Sequence, residues 1–236
     1  MDIDEERIRE AVKHTEILRL PKRSLATFGT TNLYYYLVTK PAYTELVKKD
    51  VTETVVREGR VIAEKPRIVT PYYLSRLEGF SSEAKRYFEM LHRTHGSHTA
   101  GLLYSYRNEP KELTIVSDDL RSVVDKLNAE IDKHADPLAS IIKGEDELWD
   151  VSLLTFIYEM TKSSMRDNLS QMGARGLLDI DAGGIPADAR VKIEELFRQV
   201  SKGELEPREL KDELDRWGLF EEYQDRFFTL FKKGGL

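Results

Sequence analysis

The chain has 236 residues, 40% hydrophobic and 33% charged, so it is long enough and apolar enough to build a real core. It contains no cysteine, which excludes disulfides, thiolate metal sites, iron–sulfur clusters and cysteine nucleophiles together. The formal net charge of −6 argues against nonspecific nucleic-acid binding by the molecule as a whole.

That charge is uneven. Residues 20–80 carry ten Lys/Arg against six Asp/Glu, whereas residues 113–236 carry 17 against 26. Six of the 11 tyrosines fall between Tyr34 and Tyr73. High charge with no Cys and few Asn or Gln is a pattern that thermophile proteins tend to show. No stretch approaches the ~20 apolar residues that cross a bilayer, so no membrane partner is expected. The acidic start, Met1-Asp2-Ile3-Asp4-Glu5-Glu6, is not that of a secretory signal, and a cytoplasmic location is expected.

The first predicted element is a short helix over 4–15, with Ile8, Ala11 and Val12 on one stripe. Ile17–Leu20 alternates briefly and stops at Pro21. Leu25–Phe28 and Leu33–Thr39 read as β-rich runs around Gly29-Thr30-Thr31-Asn32, and Ala42–Lys49 as one or two helical turns. Thr52–Glu58 and Arg60–Val69 are β-branched runs meeting at Glu58-Gly59, which reads as a hairpin turn. Leu102–Arg107 and Glu112–Val116 read as a second hairpin across Asn108-Glu109-Pro110.

Helix signals begin at Ser81, with Ala84, Tyr87, Phe88 and Leu91 on one face. Ser117 reads as the cap of another, whose stripe is Leu120, Val123, Val124, Leu127 and Ile131. From Pro137 onward the pattern predicts helix alone. Leu138–Gly144 forms a short one, and 146–160, apolar almost all round, a central buried one. Later helices carry Ile193–Val200, Leu210–Trp217 and Phe220–Phe231. The predicted class is α+β: a small, mostly antiparallel sheet module over 1–116, packed with helices, and a helical bundle over 117–236.

Three surfaces carry candidate chemistry. Tyr34, Tyr36, Arg57, Arg60, Lys65, Arg67, Tyr72 and Tyr73 would make a basic, aromatic sheet face. Aromatics for stacking and cations for phosphates suit single-stranded nucleic acid, and the same residue types recur in protein interfaces. Tyr is also simply a good strand former, and Arg and Lys solvate exposed faces. His92, His95 and His98 fall within seven residues and would offer a divalent metal three imidazoles, as in a metal-dependent hydrolase. Against that, no glutamate stands between them as in a zincin helix, and a helix C-terminus attracts His for dipole reasons alone. Asp179-Ile180-Asp181-Ala182-Gly183-Gly184 begins like a calcium loop, but its fifth position is Gly183 and its twelfth is Arg190. A turn-rich connection between helices is the expectation there. No dinucleotide fingerprint or phosphate loop occurs, and no cofactor is expected.

These features point first to a soluble binding or regulatory protein that uses the basic Tyr-rich face for a protein partner or single-stranded nucleic acid. The alternative is the histidine-based hydrolase. A third reading is a subunit of an assembly with no chemistry of its own, and any part of the aromatic C-terminal helix left uncovered would be a docking surface, a second copy among its candidates.

Overall fold

A computed structural model of the chain describes residues 3–45, 52–70, 72–73 and 101–232. Contacts cluster into two compact units, each assembled from two stretches of sequence: Met1–Lys65 with Tyr104–Asn168, and Pro66–Leu103 with Leu169–Leu236.

The first unit is built on a five-stranded sheet in the order β1-β7-β2-β3-β6. The strands are β1 (Glu16–Arg19), β2 (Thr31–Thr39), β3 (Thr54–Ala63), β6 (Tyr106–Val116) and β7 (Ala139–Gly144). Most pairs are antiparallel, but β2 runs parallel to β7 over Tyr34↔Ala139 to Thr39↔Gly144. The sheet is therefore mixed and five strands wide, which corrects the expectation of a small sheet, while most of its pairs keep the expected antiparallel sense. The correction has a single origin. Residues 138–144, read as a short helix, are a strand at the heart of the sheet. Ala139, Ser140, Ile141 and Ile142 are all buried, so both faces of β7 are covered. A short continuous apolar run gives no period by which to separate a covered strand from a covered helix turn.

The alternation of β2 sorts the unit into two layers. Leu33, Tyr35 and Leu37 face helix α3 (Trp149–Gly173) and meet Leu153, Phe156, Ile157 and Met160. Tyr36 and Val38, with Val56, Ala139 and Ile141, face helix α2 (Leu120–His134) and meet Val123, Leu127 and Ile131. The apolar stripe expected for α2 is the one it uses. Its N-cap is Asp119 rather than Ser117: the Asp119 carboxylate accepts from the amides of Arg121 and Ser122. Residues 25–27 form no strand. They are instead tied to α3, where Ser164 Oγ accepts the Leu25 amide (3.0 Å) and Asn168 Nδ2 donates to Thr27 Oγ1 (2.9 Å). Helix α1 is Ile3–His14.

The second unit holds a two-stranded ribbon, β4 (Arg67–Val69) with β5 (Gly101–Leu103). Among the described residues it also holds helices α4 (Ala187–Ser201), α5 (Pro207–Trp217) and α6 (Phe220–Lys232). Val69, Tyr73, Ile193, Phe197, Leu210, Leu214, Trp217 and Phe227 form its core. Pro207 opens α5 in its first turn, and Gly218 closes it at φ 69°, the left-handed conformation that a residue with a Cβ resists.

Both expected hairpins are absent from the described strands. Glu58-Gly59 and Asn108-Glu109-Pro110 each lie inside a continuous strand, β3 and β6 respectively. They lie opposite one another: Glu58 pairs with Glu112 and Gly59 with Pro110, which leaves Lys111 as the extra residue of a β-bulge. Glycine and proline punctuate both strands at the bulge, and a sequence window cannot tell a bulge from a turn.

Candidate functional site: the bulge groove

Beside the bulge in β6 lies a groove of about 420 Å³. Tyr34, Tyr36, Glu58, Arg60, Glu109 and Lys111 are among the residues lining it. The alternation of β2 and its pairing with β3 bring these together, since Tyr34 lies opposite Arg60 and Tyr36 opposite Glu58 on the same face. Beneath, Tyr35 points to the other face and is buried. Its hydroxyl donates to Asn108 Oδ1 (3.1 Å), and burial raises its pKa. Gly59 is required because the Tyr35 ring crosses the space where a side chain would stand.

The charges of the groove are largely satisfied within it. Arg60 Nε donates to Glu109 (2.7 Å), and this pairing raises the guanidinium above its ordinary value. Arg107 also approaches Glu109 (3.1 Å), and Lys111 lies 3.8 Å from Glu58. Tyr34 is 40% exposed. Tyr36 is half-buried and its pKa is raised, first by burial and then by the nearby Glu58. The surface therefore offers phenol rings and paired charges with little net sign.

The remaining sequence candidates lie elsewhere. Arg57 is on the opposite face of β3, over the Trp149 ring (5.6 Å to its centroid). It is paired with Asp146 (2.8 Å) and donates to Thr39 Oγ1. Burial tends to raise the Asp146 carboxyl, but hydrogen bonds from Thr39, the Ala42 amide and Arg57 outweigh it, and its pKa is lowered. Lys65 follows β3, half-buried in the link to β4. Arg67, Tyr72 and Tyr73 belong to the second unit. There Arg67 pairs with Glu213, and the buried Tyr73 hydroxyl donates to Glu213 (3.2 Å). The Tyr72 hydroxyl occupies the space beside Gly218. The eight residues thus divide among the groove, the opposite sheet face, the β3–β4 link and the second unit. His92, His95 and His98 lie outside the described residues. Among the described residues no three metal-ligating side chains converge.

Two further features were open to a chemical reading. A larger cavity of about 950 Å³ is lined by α1, the end of β7 and residues 145–148. Arg7 pairs with Glu147 and Lys143 with Glu16 along it, and His14 Nδ1 lies 2.9 Å from Glu145 Oε1. In the 179–186 loop, Asp181 Oδ1 accepts the amides of Gly183 and Ile185, and Oδ2 accepts the Arg190 guanidinium (2.8 Å). Arg190 also pairs with Glu222 and lies over the Tyr223 ring. The Arg190 guanidinium thus organises this connection.

Sequence reasoning missed Glu58, Glu109 and Lys111 as neighbours of Tyr34 and Arg60. The available signal was that two turn-like interruptions sit at matching depths in two β-rich segments. No helix of the described residues is long and apolar enough to cross a membrane. No family model, no curated protein and no solved structure matches the chain.

Proposed function

We propose that the protein is a binding module that takes an extended segment of a protein partner along β6, with a partner side chain seated in the bulge groove. The carrying observation is the state of β6. It is an eleven-residue strand at the end of the sheet, and among the described residues no strand pairs with its outer side. Beyond the bulge it presents Leu113 and Ile115, more than half exposed. A long edge with exposed apolar side chains is a template for strand addition, which soluble proteins otherwise blunt with charge, proline or bulges. Pro110, Lys111, Glu112 and the bulge protect the middle of β6; residues 113–116 have no such protection.

An added strand would project alternate side chains to either face. One set would meet Leu113 and Ile115. The other would reach the Tyr34, Tyr36 and Arg60 side, where the rings give contact area and the Arg60–Glu109 pair gives orientation. The near-neutral groove favours a peptide over a polyphosphate, since strong nucleic-acid binding relies on unneutralised cations.

The test is to pan a displayed library of random linear peptides on the intact protein. Enriched peptides should be β-prone, should lose at least about tenfold in affinity on Leu113→Lys with Ile115→Lys or on Tyr34→Ala with Arg60→Ala, and should slow hydrogen exchange in β6. Binders indifferent to both pairs of changes, or no binders at all, would overturn the reading. So would tight, steeply salt-dependent binding of oligothymidylate in their place.

A further inference from the structure

Helix α3 was expected to be buried all round, and it is not. Leu154 is 64% exposed, Tyr158 63% and Met165 41%. At 3.6 residues per turn these positions lie within about 40° of one another around the axis, along about 16 Å of helix. Their spacing of four and seven is that of a helix–helix seam. Half-buried Val151 and Thr161 continue the stripe. The opposite side of the same helix carries Leu153, Phe156, Ile157 and Met160 into the core, so the stripe is a second apolar face. An isolated exposed leucine needs no explanation, but three large side chains aligned on one stiff helix do.

We infer that this face pairs two copies of the chain through an antiparallel α3–α3 contact. The charges beside the stripe select both the occupant and the direction. Glu159 and Lys162 lie on the solvent side of it, and among the described residues neither takes part in an ion pair. A two-fold axis near residue 160 sets Leu154 against Met165 of the second copy and Tyr158 against Thr161. It also brings Glu159 beside Lys162 of the second copy, twice over. Parallel pairing would instead put the two copies' Glu159 and Lys162 on opposite edges of the seam, where they could not meet. The stripe is therefore complementary to itself in one orientation, as an isologous two-fold contact requires. This inference is independent of the β6 edge, which lies on another element.

Sedimentation equilibrium of the full chain should show the mass rising from 27.3 kDa towards twice that value across the micromolar range. Leu154→Asp or Tyr158→Asp should weaken the dimer at least about tenfold, with circular dichroism unchanged because both positions are exposed. Glu159→Lys alone should also weaken it, by placing lysines opposite one another, and adding Lys162→Glu should restore it. The chain has no cysteine, so single introduced thiols report cleanly. Thr161→Cys, near the axis, should form an intermolecular disulfide, and Asp150→Cys should not. A monomer at all concentrations, a dimer unmoved by Leu154→Asp, or a charge swap without rescue would overturn the inference.

Discussion

A Cβ on Gly59 would stand 2.6 Å from Cζ of Tyr35 and 2.8 Å from the Glu109 carbonyl oxygen. The ring is buried and the carbonyl is backbone, so neither can swing aside. We expect Gly59→Ala to destabilise the first unit by about 1–3 kcal/mol, the usual cost of overpacking. Combining it with Tyr35→Leu should show favourable coupling in a double-mutant cycle measured by urea unfolding, because the second change vacates the space that the first needs. Simple addition of the two losses would show that the contact is not the constraint.

The Glu213 carboxylate gathers Arg67, the Tyr73 hydroxyl and Trp217 Nε1 (3.1 Å), and its side chain is 5% exposed. Removing the acid strands a half-sequestered guanidinium whose Nε already lacks a partner. We expect Glu213→Leu to cost about 3–5 kcal/mol, and Arg67→Met added to it to recover much of that. Recovery should fall short of complete, since Tyr73 and Trp217 still lose their acceptor. The two tryptophans fall one in each unit, so Trp217 fluorescence in a Trp149→Phe background reads this site alone.

Asp146 links pH to stability in the first unit. Its folded pKa lies below the ordinary 3.8, so the stabilisation is fully present above 3.8 and is lost as pH falls through the lowered folded value. Asp146→Asn should lower stability at neutral pH and flatten this acid limb, followed through Trp149, which lies beneath Arg57. An acid limb unchanged by the substitution would remove Asp146 as its source.

Tyr104 should titrate late. Burial, helped by Tyr106 alongside, pushes its pKa up to about 12. Its contribution to stability is complete below the ordinary 10.0 and disappears as pH rises through about 12. Absorbance at the phenolate band should show a late component that Tyr104→Phe deletes.

Much of the local structure was written in periodicity. The α2 stripe from Leu120 to Ile131, the β2 run, and the Pro207 and Gly218 limits of α5 all appear where the pattern put them. What escaped the sequence depends on partners distant in the chain. Whether Ile141-Ile142 becomes strand or helix is decided by β1 and β2 on either side, more than a hundred residues upstream. Whether Gly59 is a turn or a bulge is decided by Pro110 across the ladder. The groove was half legible for the same reason: Tyr34, Tyr36 and Arg60 stand out in one stretch, while Glu109 and Lys111 arrive from a strand paired over fifty residues of separation.

The place of β7 between β1 and β2 has a consequence for biosynthesis. A nascent chain halted before residue 139 possesses both flanking strands but not the one that joins them, so its sheet has a gap between β1 and β2. Residues 66–103, meanwhile, have left the ribosome before their helical companions exist. Neither unit can close in the order of translation, and the growing polypeptide must hold its first sheet open until its middle third emerges.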